Sequence, residues 1–587
     1  MDDEQRKLAE ELLFSENRTA SFARLIYFGI VDPKTVFPFP NPSFEEKEKV
    51  DAFILRVEEY AKNHIDGDKI DREASIPDEV VTGLGQLGVL GMTIPQKYGG
   101  LGMSQYAYCR TVEIISRYCG STALFVNAHQ SIGLKALLLF GTEEQKQHWL
   151  PPLARGECLA AFSLTEPNAG SDANGIETRA VFDKDKHVWR INGRKQWTTN
   201  GAIASVLTVM ARTEVQTPEG KEDKITAFLV TPDMPGFQVT ASALEKVGMR
   251  GSKTANLEFH DLEVPAENVL GPLGGGLKVC LTVLDYGRTT FGAACTGAAK
   301  YLYERALQQV INRYQFKRPL GSFGLVKKKI GTMGAVIYAM EAATYLTASL
   351  IDSHCGDIML ESAILKVFAS DKLWDILYDT MQIYGGRSFF TSEPFERMMR
   401  DARLNMIGEG SNEVMRVFIG AVGLRDVGLE LKAAGAALKT PFSEFGQLTN
   451  FTGKWIQRLS APTIPVKSET LQSEARQLGK EIRRFGLAVS KLLIAYREGI
   501  IERQQHLDRL ASCAMAIYTA MAVLSRLDFA IQNSSGASVA LETEIFTGKA
   551  YCKLASELIN NSLEGLNNND DNEIEKLSDR LTGIRFP

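Results

Sequence analysis

The spacing of apolar residues changes character twice along the 587-residue chain, and this constrains the fold more than any single motif. From Glu45 to Cys158 the apolar residues recur at helical intervals, with Gly and Pro breaks at Gly83 to Gly91 and Ile94 to Gly102. Between Leu159 and Leu270 the runs VWRINGRKQWTTNG, VLTVMARTEV, KITAFLVTPD and TANLEFHDLEVP are rich in Val, Ile, Thr and aromatics, with turn residues between them. They read as antiparallel strands. The helical period returns from Gly276 in Leu277 to Tyr314 and Lys327 to Asp352, with the Gly and Ala that close packing in a bundle uses. The expected class is α+β, with an extension at 1–44, a helical domain at 45–158, a β domain at 159–270 and a helical bundle at 271–430. A linker at 431–466, punctuated by Pro441, Pro462 and Pro465, leads to a further helical domain at 467–587 whose tail, NNNDDNEIEKLSDRL, is polar enough to be solvated. Leu510 to Ser525 is the longest largely apolar run and reads as a buried core helix, shorter than the ~18 residues a spanning helix needs.

The stretch RDARLNMIGEGSNEVMR, Arg400 to Arg416, sets Glu409 between Gly408 and Gly410. Glycine has no Cβ penalty, so this backbone is free to turn sharply and hold a carboxylate against a substrate. Glu393 to Leu404 reads as a helix with Pro394 in its first turn, and Ser411 as the cap of a second helix carrying Val414, Met415, Val417 and Phe418. Glu409 then lies in the joint between two helices. An ordinary exposed glutamate in a turn is the alternative this stretch leaves open.

Composition excludes several classes. The net charge of -5 gives no nucleic-acid footprint, and the eight cysteines form no C-x-x-C pair, which fits a reducing compartment. The N-terminus MDDEQRKLAEELL lacks the basic flank and apolar run of a secretory signal. No G-x-G-x-x-G follows a strand, and neither H-E-x-x-H nor G-x-S-x-G occurs, so nicotinamide and two hydrolase routes drop out and no metal is expected. GMRGSKT at 248–254 and GPLGGG at 271–276 read as a turn and a helix entry rather than phosphate loops. His129 in NAHQSIG reads as a satisfied structural histidine.

Five stretches in order, LTEPNAGSD at 164–172, KQWTTNG at 195–201, NRYQFKRPLGSFG at 312–324, QIYGGRSF at 382–389 and GEGSNEVMR at 408–416, resemble the acyl-CoA dehydrogenase family over nearly the whole chain. VFPFP, NAHQSIG, KITAFLV and about 160 residues after the core resemble its very-long-chain branch. The resemblance implies FAD held without a Rossmann fold, between the β domain and the C-terminal helices. It places Phe162, Leu164, Thr165, Gly170, Ser171, Trp197, Thr199 and Ser411 at flavin-binding positions, with the Trp197 indole on the ring face. Arg313, Gln315, Phe316, Phe323, Gln382, Gly385 and Gly386 match positions that hold the ADP half across a homodimer interface, although Phe323 and Gly324 stand where some members have His-Gln. Ser171, Asp285, Arg288 and Gly410 match acyl-CoA contacts.

By the same resemblance Glu409 is the base that removes the Cα proton, with its own backbone N–H in the oxyanion hole. Members that carry the base on an earlier helix have it before an arginine in the segment matching LDYGR, where this chain has Gly287 and Arg288. Gly408 replaces the Tyr or Phe that usually precedes the base in straight-chain enzymes, which opens space for branched or bulkier acyl groups. The implied reaction is dehydrogenation of long or very long fatty acyl-CoA to trans-2-enoyl-CoA in β-oxidation, with electrons passed to an electron-transfer flavoprotein. An acyl-CoA oxidase and a flavin-containing scaffold for respiratory-complex assembly are the alternatives. The implied location is the bacterial cytoplasm beside the inner membrane, or the mitochondrial matrix for a processed chain. Residues 439–467 carry Phe442, Phe445, Leu448, Phe451, Trp455 and Leu459 at three- and four-residue steps, with Lys439, Lys454, Arg458 and Lys467 opposed only by Glu444. That pattern reads as peripheral membrane contact.

Overall fold

A computed structural model describes residues 21–584, apart from 219, 438–454, 456–457 and 535. Helix Phe44–His64 starts where Ser43 Oγ accepts the Glu46 N–H at 3.2 Å, and it buries Val50, Phe53, Ile54, Val57 and Ala61 along one stripe. That stripe packs with Tyr108, Val112 and Ile115 of helix Gln105–Tyr118. Helices Gly120–Asn127 and Leu134–Phe140 follow, joined by one π-helical turn, Ala128–Gly133.

The β region is one eight-stranded sheet: β1 (Ala160–Ser163), β2 (Arg179–Asp183), β3 (Val188–Thr199), β4 (Val206–Thr217), β5 (Gly220–Val230), β6 (Phe237–Ala241), β7 (Thr254–Pro265) and β8 (Val269–Leu270). The spatial order is β6-β7-β3-β2-β4-β5-β8, with β1 beside β4. It is not wholly antiparallel as the strand pattern predicts. β1 runs parallel to β4, and β2 meets β4 in parallel at Arg179 and Arg212. A parallel pair needs a long crossover, and the intervening β2–β3 hairpin supplies it.

The bundle consists of helices Gly276–Asn312, Gly324–Asp352, Met359–Tyr384 and Asn412–Ala437, with the shorter Phe395–Asn405 before the last. Helices Gln472–Tyr496, Gln504–Gln532, Val539–Gly565 and Asp571–Thr582 form the additional C-terminal region. Among the described residues three helical stretches, Gly120–Phe140, Gly324–Asp352 and Gln504–Gln532, are long and apolar enough to cross a membrane, but 72 to 89% of their apolar windows are buried inside this chain. The expectation that no run reaches spanning length is corrected accordingly, while the core role of Leu510 to Ser525 stands.

Two other expectations change. Residues 21–39 do not trail as an extension: Phe22, Ala23, Ile26 and Tyr27 are at most 2% exposed within the core shared by the bundle and the C-terminal helices. The linker expected from 431 begins as helix, since the last bundle helix runs on to Ala437 through the helix-forming residues of LKAAGAA. The polar tail is solvated as expected, with no residue of Asp571–Thr582 buried, and it is helical there, so solvation does not prevent the helix.

Candidate active site

The joint carrying Glu409 is built as its sequence suggests, but the strained backbone sits elsewhere. Helix Phe395–Asn405 begins at Pro394, and Ser411 Oγ accepts the Val414 N–H at 3.4 Å at the start of the next helix. The left-handed residues are Glu409 itself, at φ 59°, and Gly410, at φ 91°; Gly408 is not among them. A non-glycine residue in that region stores strain, and such strain gathers where a side chain must be aimed.

Two buried cations pin the turn. Arg288 Nε donates to the Glu409 carbonyl at 3.3 Å, and Lys366 Nζ donates to the Gly410 carbonyl at 2.6 Å and to Asn412 Oδ1 at 2.7 Å. Asp285, which accepts from Arg288 Nη1 at 3.3 Å and from Ser362 Oγ at 2.9 Å, holds Arg288 in place. The Glu409 Oε2 atom is buried with no hydrogen-bond partner. Desolvation raises its pKa above the ordinary carboxylate value, while the charges of Arg288 and Lys366 oppose that rise. A Cβ added at Gly287 would lie 3.1 Å from Oε2, 3.2 Å from Oε1 and 3.1 Å from Ile132 Cγ2. The space beside the carboxylate exists because residue 287 has no side chain.

On the sheet side, Phe162 is buried within β1, while Leu164, Thr165 and Thr199 are half-buried. Trp197 sits at a register shift between β3 and β7, at φ 58°, and is 62% exposed. A large indole held out from a bulge is not sheet core. Beneath it buried Lys195 Nζ donates to buried Glu166 Oε1 at 2.6 Å and to the Leu164 carbonyl at 2.9 Å. Gln196 N–H donates to the Thr165 carbonyl at 2.9 Å, so the 164–166 segment is tied to β3 on both sides. Gly170 and Ser171 are exposed on the loop that follows.

The remaining positions lie on the surface. Arg313, Gln315 and Phe316 belong to an exposed hairpin, Tyr314–Gln315 with Arg318–Pro319, and Phe316 is 87% exposed. Half-buried Phe323 is covered by the Arg318 guanidinium at 3.9 Å. Gln382, Gly385 and Gly386 are also exposed, and nothing lies within 4 Å of a Cβ built at either glycine. The structure thus joins Glu409, Gly410, Ser411, Asp285 and Arg288 in one cluster and leaves Arg313, Gln315, Phe316, Gln382, Gly385 and Gly386 facing solvent.

His129 is structural, as its sequence setting implies: Nδ1 accepts the Ala160 N–H at 3.0 Å and Nε2 donates to the Leu90 carbonyl at 3.0 Å, while burial pulls its pKa down to about 4. GMRGSKT is indeed a turn, with Met249 N–H donating to Asp401 Oδ1 at 2.5 Å. Of the segment at 439–467, Phe442, Phe445, Leu448 and Phe451 lie outside the described residues. Arg458, read as a basic flank facing lipid, instead pairs with Glu430 at 2.8 Å and is 8% exposed, because Glu430 on the preceding helix reaches it first. Sequence reading missed Lys366 and the Lys195–Glu166 pair. Lys195 is in phase with the buried Trp189 and Ile191 of its strand, a signal that could have flagged it.

Comparison with known proteins covers most of the chain. Domain families described as acyl-CoA dehydrogenase N-terminal, middle and C-terminal match residues 47–157, 161–262 and 274–424, and the ACAD9/ACADV C-terminal domain matches 469–582. The chain is 36% identical over 525 residues to the mitochondrial very long-chain specific acyl-CoA dehydrogenase of Homo sapiens, covering 86% of this chain and 78% of that one. It is 32% identical over 606 residues to the probable acyl-CoA dehydrogenase FadE10 of Mycobacterium tuberculosis, covering 99% and 91%. A crystal structure of an acyl-CoA dehydrogenase complexed with FAD from Bacillus anthracis superposes with a TM-score of 0.77 at 27% identity, covering 97% of this chain and 96% of that one.

Proposed function

The chain belongs to the acyl-CoA dehydrogenase family, an FAD-dependent oxidoreductase with the very-long-chain type of C-terminal region, and on that premise we propose how its own residues work. Glu409 removes the Cα proton of a long or very long fatty acyl-CoA. The observation that carries this is the orphaned, desolvated Glu409 carboxylate, aimed by a left-handed backbone into the space Gly287 leaves open.

The residues present fit FAD: a 62% exposed indole stands on a sheet bulge, and two exposed glycines carry nothing that would block a close approach. Bound FAD would supply the hydride acceptor for Cβ. Glu409 Oε2, lacking a protein partner, is free to receive the Cα proton, and its raised pKa matches it to that task. Arg288 and Lys366 fix the carbonyls on either side of the turn, which orients the Glu409 N–H as an oxyanion donor. The exposed apolar hairpin at Phe316 supports a homodimer that completes the ADP half of the site. Electron transfer to an electron-transfer flavoprotein, and membrane contact through 439–467 where Leu459 is 54% exposed, belong to the same reading.

Glu409→Gln tests it. The amide keeps the shape and loses the base, so FAD absorbance persists while anaerobic bleaching by a panel of long-chain acyl-CoAs slows on the order of 10² to 10⁴-fold. Retention of most of the wild-type bleaching rate would show that another residue is the base.

A further inference from the structure

A cleft of about 630 Å³ lies between the first helical layer and the bundle, and Glu409 is not among its lining residues. Its inner wall includes Lys135, which is 6% exposed and has its Nζ 4.8 Å from the centroid of the Tyr286 ring. No hydrogen bond or ion pair to a described residue satisfies this ammonium. The Asp352 carboxylate in the same cleft is already engaged, accepting the Gln105 N–H at 2.7 Å and the Tyr106 N–H at 3.0 Å. An ammonium has three donors, and burying it without an acceptor is costly. Burial pulls the Lys135 pKa down to about 8, while the charge of Asp352 opposes that fall.

Val50, Met103, Ile351 and the Tyr286 ring give the cleft an apolar patch within a lining that also carries Ser43, Thr93, Ser104 and His354. Toward solvent stand Glu45, Glu46 and Lys49. The volume falls in the range of small-molecule sites. We infer that this cleft binds a small organic monocarboxylate, its carboxylate accepting hydrogen bonds from Lys135 and its short aliphatic stem lying against Val50, Met103, Ile351 and Tyr286. The two glutamates at the rim disfavour a second negative charge on the ligand, which separates this class from phosphates. The site stands apart from dehydrogenation and does not depend on the role given to Glu409.

Amine acylation by an N-hydroxysuccinimide acetate, mapped by peptide mass spectrometry on the FAD-loaded full chain, tests it without a variant. Hexanoate slows labelling of Lys135 at least tenfold and leaves exposed Lys62 unchanged, while hexan-1-ol and inorganic phosphate at the same concentration protect neither. A Lys135 that is never labelled, or labels equally fast with hexanoate, overturns the proposal. So does equal protection by hexan-1-ol, which would mean filling by apolar contact alone, or by phosphate, which would mean any anion suffices. Calorimetric titration adds a second arm: Lys135→Met loses at least tenfold in hexanoate affinity with acyl-CoA turnover retained, and Lys135→Arg binds hexanoate as wild type does. Hexanoate affinity unchanged in Lys135→Met places the carboxylate elsewhere and sinks the idea.

Discussion

Glu409 owes its aim to two cations that bond the backbone around it. Arg288 and Lys366 hold successive carbonyls, while the carboxylate between them keeps a bare Oε2. Glu409 was legible as a candidate because two glycines flank it. Lys366 was not, because its partner carbonyl is 44 residues away and a lysine in an apolar helix gives no hint of what it reaches. Even the flanking glycines were read with the wrong emphasis: Gly410 needs its left-handed φ, but a Cβ at Gly408 meets only Leu404 at ordinary distances of 3.6 Å and beyond. Lys366→Met should therefore act twice. Loss of a nearby positive charge raises the Glu409 pKa further, moving the acid limb of the kcat/KM profile to higher pH. Release of the Gly410 carbonyl loosens the base and lowers kcat by about 10 to 100-fold, with FAD still bound. An unmoved acid limb would reduce Lys366 to a packing residue.

Helix Gly276–Asn312 is the element on which the layers meet, since it touches the first helical layer, the sheet and the bundle. Its glycines mark the crossings: a Cβ at Gly292 would come within 2.6 Å of Leu365 Cγ, and one at Gly297 within 2.0 Å of the Glu113 carbonyl oxygen. Period and composition revealed the helix, and its Gly and Ala content announced close packing, but not the partner of each glycine, because helix crossings are set by the tertiary fold. The parallel β1–β4 pair and the π turn at 128–133 escaped for the same reason, as neither leaves a local pattern. Gly297→Ala separates propensity from contact. In an exposed helix interior the change gains roughly 1 kcal/mol, whereas overpacking against rigid backbone costs typically 1 to 3 kcal/mol. The contact wins here, because a carbonyl oxygen at 2.0 Å cannot rotate away as a side chain would. The thermal midpoint of the FAD-bound protein should fall by several degrees. A variant at least as stable as wild type would show that the two helices separate without cost.

Across the whole molecule, the N-terminal segment, the bundle and the C-terminal helices close on one buried acidic centre. Ala23 N–H donates to Glu361 Oε1 at 2.9 Å, Arg24 pairs with Asp357 at 2.7 Å and with Asp426 at 3.2 Å, and Tyr27 OH donates to the Ile419 carbonyl at 2.8 Å. Glu361 Oε2 is buried without a partner, and burial, with Asp357 adding repulsion, raises the carboxyl to about 7. Its folded pKa lies above the unfolded value near 4.5, so the folded state holds a proton that the unfolded state has lost between these two pH values. The stabilisation is complete below about 4.5 and is lost as pH rises through about 7. Full expression of that shift corresponds to on the order of 3 kcal/mol, an upper bound because a chain can relax or admit water. Glu341 acts in the opposite window: against the upward push of burial, Arg526 and Lys300 hold it well below the carboxylate range, so its contribution is lost in acid. Glu361→Gln removes one of these titrations and keeps an acceptor for Ala23. Its thermal midpoint should lie close to wild type at pH 5 and rise above it by pH 8, where wild type must bury an ionised carboxylate or release its N-terminal segment. Calorimetric scans at pH 5, 6.5 and 8 read the difference. A gap between variant and wild type that stays constant over that range would mean Glu361 does not change charge there.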